Sequence, residues 1–557
     1  MSSTVYYNLF FLLGGIAVLM FGMKYMGANL ELVAGGNMRK MLGKMTSNRF
    51  AGVGIGALVT AIINSSTATT VMLVGFVNVG LLTLSQATSV IMGANIGTTI
   101  TAQILSLSGG EGLDINAIAA LIAAVGIICT MFTKKDKVHK LGNILIGIGL
   151  IFIGLKIMSL AVDYIVWADK ANQVFRFEWM RTFLQGNVFP LILILVGIIL
   201  TAIVHSSAAV TGILIALGAA INFQTAVFVI LGSNIGTCIT SLVSSIGTSV
   251  NAKRTAIIHL LFNLFGCVIF IVPCWIWGEY LDKAITAISG SLMERKIANF
   301  HTVFNLLTTI LLLPFTNLLV KLVTKIVPDK ADDSAKKHSL TFIDSRLLET
   351  PPVAVEYTKK EIVKMSGIAK ENLILATDML LGNGENAETL KDNEKALNYL
   401  NHSITAFLTQ LMSKGLTEKD EKKIGSYYHV VSDVERIGDY AENIMEYYFK
   451  LKEEGQSFSD GAIEELKAMT GTVLELFDVS VRAFEKRDIS LLTEVDRLEK
   501  ITDQYSIDLE DKHIERVKKG GCSAQVGSVY LQTVSNLERV GDHITNIGFS
   551  IKNYVKA

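Results

Sequence analysis

Thr60-Ala-Ile-Ile-Asn-Ser-Ser-Thr-Ala-Thr-Thr70 returns later in the chain as Thr201-Ala-Ile-Val-His-Ser-Ser-Ala-Ala-Val-Thr211. Each copy is followed by a second shared string. Val90-Ile-Met-Gly-Ala-Asn-Ile-Gly-Thr-Thr-Ile-Thr101 is matched by Val229-Ile-Leu-Gly-Ser-Asn-Ile-Gly-Thr-Cys-Ile-Thr240. Upstream, Phe21-Gly-Met-Lys-Tyr-Met26 pairs with Ile153-Gly-Leu-Lys-Ile-Met158, so the chain holds an internal duplication. Two copies of one membrane unit are the reading that follows.

Charge distribution shows how far that unit extends. The 557 residues are 50% hydrophobic and 18% charged, with a mean hydropathy of +0.45. Neither Phe50–Gly110 nor Thr182–Asn251 contains Asp, Glu, Lys or Arg, whereas the chain after Val327 is dense in them. A membrane half therefore precedes a soluble half. The formal net charge of +0 and the lack of a basic recognition stretch give no reason to expect nucleic acid as a partner. The five cysteines show no close pairing of metal or redox type. The Tyr7–Met23 run lacks a basic leader and a small-residue cleavage site, so it is expected to be a retained first helix.

Seven apolar runs reach or approach the length of a membrane span: Asn8–Gly27, Gln86–Leu107, Ile115–Phe132, Leu141–Val162, Thr225–Ile246, Thr255–Trp277 and Ile297–Val320. The Ser-Ser strings instead interrupt two longer stretches, Ala51–Leu84 and Val188–Phe223. Irregular backbone survives in lipid only against protein or a wet cavity, so each is expected to be a re-entrant helical hairpin. Basic clusters at Arg39, Lys40, Lys44 and Arg49, at Lys134, Lys135, Lys137 and Lys140, and at Lys253 and Arg254 all fall on the cytoplasmic side if the two copies have opposite orientation. That is the inverted-repeat layout of secondary transporters. His259-Leu-Leu-Phe-Asn263 and His301-Thr-Val-Phe-Asn305 form another repeated string, with two readings: a polar pathway lining, or the commoner helix-to-helix hydrogen bonds.

Asn64, Ser65, Ser66, Thr67 and Thr70, set against His205, Ser206, Ser207 and Thr211, would offer many hydroxyls and, His205 apart, no fixed charge. Where a broken helix restarts, free N–H groups and the positive dipole end favour an anion such as phosphate or sulfate. Moving that anion through an uncharged cavity calls for a cation, and Na+ held by hydroxyl and carbonyl oxygens would supply it.

These strings resemble the type II sodium/phosphate cotransporters and their bacterial relatives, which carry a Gln-Ser-Ser-Ser string and a Gly-[Ala/Ser]-Asn-Ile-Gly-Thr string in each inverted repeat. The resemblance covers roughly Asn8–Val327. It implies phosphate held by Ser65, Ser66, Thr67, Ser206 and Ser207. It implies Na+ ligands at His205, Ser206, Ser233, Thr237 and Thr240, with Asn64, Ser65, Asn95, Thr98 and Thr101 as first-repeat counterparts. The chain departs from the family in having Asn64 and His205 in place of Gln and Thr67 and Ala208 in place of the third Ser, which leaves open the number of Na+ ions and even the coupling ion.

The soluble half is duplicated too. Asp433-Val-Glu-Arg-Ile-Gly-Asp-Tyr-Ala-Glu-Asn443 returns as Asn536-Leu-Glu-Arg-Val-Gly-Asp-His-Ile-Thr-Asn546. Glu435 with Asp439, and Glu538 with Asp542, each stand one helical turn apart. Such a pair is either a solvated acidic face offset by Arg436 and Arg539, or a metal site in a helical bundle. About six helices are expected after Leu340. The doubled string resembles the PhoU family of phosphate-response regulators, which implies two three-helix bundles with a divalent or iron-type metal on these carboxylates.

The expected fold is thus an all-α polytopic membrane protein with two inverted repeats, each with a re-entrant hairpin, and a cytoplasmic PhoU-like pair of three-helix bundles. The domains are 1–327 (repeats about 8–132 and 141–326), a linker at 328–339, and 340–557. The expected function is Na+-coupled transport of inorganic phosphate across the inner (cytoplasmic) membrane, regulated by the fused domain, with membrane lipid around it and a homodimer open. Export, another oxyanion, or a phosphate receptor with little transport are the rivals. No phosphate loop for ATP is present and the hairpin stretches hold no nucleophile–base–acid set, so an enzyme is not expected.

Overall fold

The computed structural model describes residues 3–43, 48–80, 82–109, 115–133, 135–186, 188–329, 339–414 and 416–555. It divides into two compact units, Met1–Ala331 and Asp332–Ala557. Lys44, Lys134 and the linker positions 330–338 lie outside the described residues, as do the side chains of Arg39 and Lys40.

The first unit opens with α1 (Ser3–Gly43), the broken pair α2 (Arg49–Ile63) and α3 (Ser66–Asn78), then α4 (Leu84–Ser106) and α5 (Ile115–Phe132). The order recurs as α6 (Asp136–Val166), the broken pair α8 (Pro190–Val204) and α9 (Ser207–Leu217), then α10 (Phe223–Gly236) with α11 (Cys238–Ser244) and α12 (Val250–Ile276). Between α6 and α8 lie a small antiparallel ribbon, β1 (Trp167–Asp169) with β2 (Val174–Phe175), and α7 (Glu178–Gln185). The unit ends with α13 (Gly278–Ser289), α14 (Met293–Leu312) and α15 (Thr316–Ile326).

Glycines explain how these helices approach each other. A Cβ at Gly22 of α1 would lie 2.8 Å from the Ile151 nitrogen of α6, and one at Gly15 2.9 Å from the Met158 nitrogen. As α1 advances, its contacts on α6 run backwards, so the two equivalent helices pack antiparallel. Inside each repeat the packing is duplicated. A Cβ at Gly93 would sit 2.0 Å from the Val53 carbonyl oxygen, and one at its counterpart Gly232 1.9 Å from that of Ile194. Only a residue without Cβ lets α4 lie on α2, and α10 on α8, at that separation. One apolar core joins the copies: Leu19 and Leu105 from the first repeat cluster with Ala209, Val210 and Leu214 of α9.

Among the described residues, five helical segments are long and apolar enough to cross a membrane: Tyr6–Val33, Lys137–Val166, Phe223–Ser244, Val250–Ile276 and Met293–Ile326. Of the expected spans, Gln86–Leu107 and Ile115–Phe132 are not among these five, whereas Thr225–Ile246 and Ile297–Val320 fall on two of them, the latter with a 3-10 turn over Leu313–Phe315, where Pro314 lacks an N–H to donate. Arg254, read in the sequence as a topology signal, is buried. Its guanidinium donates to the Val327 carbonyl oxygen at 2.8 and 3.0 Å, closing the C-terminal end of α15.

The second unit consists of α16 (Pro351–Leu380), α17 (Ala387–Met412), α18 (Glu418–Glu453), α19 (Asp460–Lys486), α20 (Leu492–Lys518) and α21 (Ala524–Phe549). Pro351 and Pro352 occupy the first turn of α16, where a missing N–H costs nothing. Helices α16–α18 and α19–α21 form two three-helix bundles, which meet along α18 and α21. There Asp433 accepts from His543 at 2.9 Å and Tyr447 from Asn536 at 3.2 Å, so the two helices run antiparallel.

Candidate functional site

Each broken pair is closed by the same local geometry. Asn64 ends α2 in the left-handed region at φ 58°, ψ 29°, and His205 ends α8 at φ 55°, ψ 24°. The next residues, Ser65 and Ser206, return to extended backbone at φ −152° and −151° and cap α3 and α9, accepting from the Ala68 and Ala209 N–H groups at 3.1 Å. The first N–H groups of α3 and α9, on Ser66 and Ser207 and the residues after them, have no acceptor within their helices. Ser66 and Ser207 are buried, and the buried Asn64 Nδ2 has no partner. Unmet donors therefore gather at a helix N-terminus, which suits an oxyanion.

The breaks are braced from behind by the second repeated string. Thr101 Oγ1 donates to Asn64 Oδ1, and Thr240 Oγ1 lies 3.1 Å from His205 Nδ1 at the equivalent place. Thr60 hydrogen-bonds Thr69 across the first break at 3.0 Å, while Thr201 reaches Ser233 at 2.8 Å. Of the Na+ ligands implied by the resemblance, the structure thus joins Asn64 with Thr101 and His205 with Thr240. Thr98, Thr237 and Asn95 bond carbonyls of their own helices. The repeat alignment pairs Asn95 with Asn234 rather than with Ser233, whose counterpart is Ala94. Asn234 escaped the sequence reading although it stands in the quoted string. It bridges α10 to α14, donating to Asn305 Oδ1 at 2.9 Å and facing His301 Nε2 at 3.3 Å. His259 likewise bonds Ser241 at 3.1 Å, so both His-x-x-Phe-Asn strings tie helices together.

In the second unit the duplicated acids draw in partners the sequence reading missed. Asp503, Glu538 and Asp542 each offer an oxygen, all within 4.8 Å of one another. In the first bundle the Glu394 carboxyl approaches Glu435 and Asp439. It can do so because Gly438 has no side chain, as a Cβ there would lie 2.9 Å from Glu394 Oε2. A repeated signal for these partners was available: Glu394-Lys-Ala-Leu-Asn398 matches Glu499-Lys-Ile-Thr-Asp503. Burial, then the charges of Asp439, Glu442 and Glu435, push Glu394 up to about 7. Burial also raises Glu435, with Asp439 adding to it, and raises Glu538 and Asp542, with Asp503 adding to both. No ion pair joins Arg436 or Arg539 to these carboxylates among the described residues. Close carboxylates that stay raised although Arg436 and Arg539 pull Glu435, Asp439 and Glu538 down fit a hard metal ion with oxygen ligands.

Long apolar helices, two helix pairs broken at Ser-Ser, and a separate pair of three-helix bundles define a polytopic membrane protein with an appended helical domain. Residues 18–160 and 171–281 match the Na+/Pi-cotransporter family, and residues 362–448 and 466–551 match the PhoU domain. The membrane unit belongs to the first family and the second unit is a PhoU domain. The chain is 23% identical over 555 residues to the "Putative inorganic phosphate export protein YjbB" of Escherichia coli (strain K12), covering 98% of this chain and 97% of that protein. The chain is also 29% identical over 321 residues to "Uncharacterized protein YqeW" of Bacillus subtilis (strain 168), covering 56% of this chain and 95% of that one. It is 28% identical over 191 residues to the "Phosphate-specific transport system accessory protein PhoU homolog 1" of Thermotoga maritima, covering 34% of this chain and 82% of the homologue.

Proposed function

We propose that this protein carries inorganic phosphate across the cytoplasmic membrane together with Na+, and that the PhoU domain regulates the carrier from the cytoplasmic side. The observation that carries this reading is the doubled break, in which Ser66 and Ser207 sit at equivalent buried helix starts with unmet N–H donors. Phosphate would be held by Ser65, Ser66, Thr67, Ser206 and Ser207. Na+ would take oxygens from Asn64, Asn95, Thr98, Thr101, Ser206, Ser233, Thr237 and Thr240. His205 would act there through a ring nitrogen. The antiparallel packing of α1 on α6 supports an inverted pair of repeats, in which tilting one copy against the other opens the site to each side in turn.

In the PhoU domain, Asp503, Glu538 and Asp542 would hold a divalent or iron-type metal, with Glu394, Glu435 and Asp439 forming the corresponding group in the first bundle. Bound metal would neutralise carboxylates that otherwise repel. Equilibrium binding of radiolabelled phosphate to the purified protein, in Na+ and in choline, tests the carrier reading: Na+ should raise affinity, and Ser66→Ala with Ser207→Ala should abolish the effect. Affinity independent of Na+ would reject the coupling. A second reading, export, is favoured by the name of the full-length Escherichia coli relative. Efflux from phosphate-loaded vesicles that exceeds uptake under matched gradients would select it.

A further inference from the structure

One end of the second three-helix bundle holds a cavity of about 300 Å³ that none of the acidic motifs touches. Its walls include Ser457, Ser459, His513, Arg516, Cys522 and Ser523. Two helices start there. Ser459 caps α19 and Ser523 caps α21, each accepting an N–H three residues on, at 3.4 and 3.2 Å. Both helices exceed 25 residues, and each leaves further first-turn N–H groups without a helical acceptor. Two positive dipole ends therefore meet at one opening.

His513 supplies an independent sign of a ligand. It is 95% buried (5% exposed), lines the cavity, and neither ring nitrogen has a hydrogen-bond partner among the described residues. Its Nε2 edge faces the first turn of α21, since a Cβ at Gly527 would lie 2.8 Å from that atom. The ring is held there by stacking on Tyr530, with centroids 5.3 Å apart. Arg516 stands over the same Tyr530 ring at 4.9 Å. It gives one Nη2 hydrogen to Glu465 at 2.8 Å, and Glu465 also accepts from the Tyr530 hydroxyl at 2.6 Å. Glu465 thus fixes the guanidinium at the cavity wall. A polar side chain this buried normally finds a partner. Here the unmet groups are a histidine and two helix starts, with the Arg516 guanidinium beside them, and these suit a tetrahedral oxyanion.

We propose that this cavity binds a phosphate group, free or carried on a nucleotide, giving the PhoU domain a ligand site separate from its carboxylate clusters and from the membrane hairpins. Cys522 makes the site readable in the full chain, because its thiol lines the cavity and the other four cysteines lie in the membrane unit. The experiment follows maleimide alkylation of Cys522 by mass spectrometry of its peptide in the purified, detergent-solubilised protein. Probes are inorganic phosphate, ATP, or chloride at equal ionic strength. Phosphate at roughly ten times its half-protecting concentration should slow alkylation about tenfold by mass action. His513→Gln and Arg516→Gln should abolish protection, while Ser66→Ala with Ser207→Ala should retain it. Should Arg516→Gln misfold, His513→Gln carries the test. Protection by ATP alone would assign the phosphate group to a nucleotide. Equal rates with phosphate, ATP and chloride, or protection that survives both His513→Gln and Arg516→Gln, would overturn the proposal.

Discussion

Asn64 and His205 stand 141 positions apart, yet they end their half-helices in the same left-handed turn, and each is met by the last threonine of the second repeated string, Thr101 on α4 or Thr240 on α11. Their residues differ while the backbone does not. The turn is what the fold preserves at both places, and it sets the direction in which Ser66 and Ser207 begin the second half-helix. Asn is among the few residues that take this conformation readily. His205→Asn should therefore fold and transport. His205→Val, strained in that region, should lower the melting temperature; unchanged melting of His205→Val would show that the turn is not held by its surroundings.

Within each pair of serines only the first has a capping duty besides its place in the proposed site. Ser65 and Ser206 cap helices, and replacing either with Ala should cost about 1 kcal/mol of stability. Ser66 and Ser207 cap nothing, so Ser66→Ala should leave melting nearly unchanged while cutting phosphate uptake about tenfold or more, as expected for one lost hydrogen bond to a charged ligand. Thermal melts read beside uptake check both. Equal effects of the four substitutions on both readouts would contradict the division.

Glycine positions give a test of the repeat packing. A Cβ at Gly93 would fall 2.0 Å from the Val53 carbonyl oxygen, whereas one at Gly54 meets nothing within 4 Å. Gly93→Ala and Gly232→Ala should both reduce folded yield sharply, and Gly54→Ala should be tolerated or slightly stabilising. Size-exclusion profiles of the three variants decide it.

In the PhoU domain the folded-state pKa of Glu394 lies above its ordinary value, at about 7. The folded state therefore binds this proton more tightly than the unfolded chain. Its contribution to stability is complete below about 4.5 and is lost as pH rises through about 7. Metal-free protein should show faster hydrogen exchange in α17 and α18 at pH 8 than at pH 6, after correction for intrinsic rates. Glu394→Gln should remove the difference, and a divalent cation should suppress it. A pH-independent opening of these helices would count against the clustered acids.

Much of this was legible in the sequence because duplication isolates what a fold needs twice. The two Ser-Ser breaks, the glycine strings and the Glu-Arg-x-Gly-Asp strings each mark a geometry that recurs. What stayed hidden depends on contacts between elements. The β ribbon after α6 and the amphipathic α7 and α13 are too short to give a periodic signal, and Arg254 reads as an exposed charge until Val327 folds back onto it. Glu394 and Asp503 were missed because each lies on a different helix from the motif it completes. Asn234 could be named from its string, but its bonds to α14 belong to tertiary structure.

The most direct test of the central claim is radiolabelled phosphate uptake into liposomes containing the purified protein, driven by an inward Na+ gradient or an equal K+ gradient. Accumulation with Na+ alone, abolished by Ser66→Ala with Ser207→Ala, is the predicted result. Equal accumulation with either cation, or uptake that survives both substitutions, would contradict Na+-coupled phosphate transport through the paired hairpins.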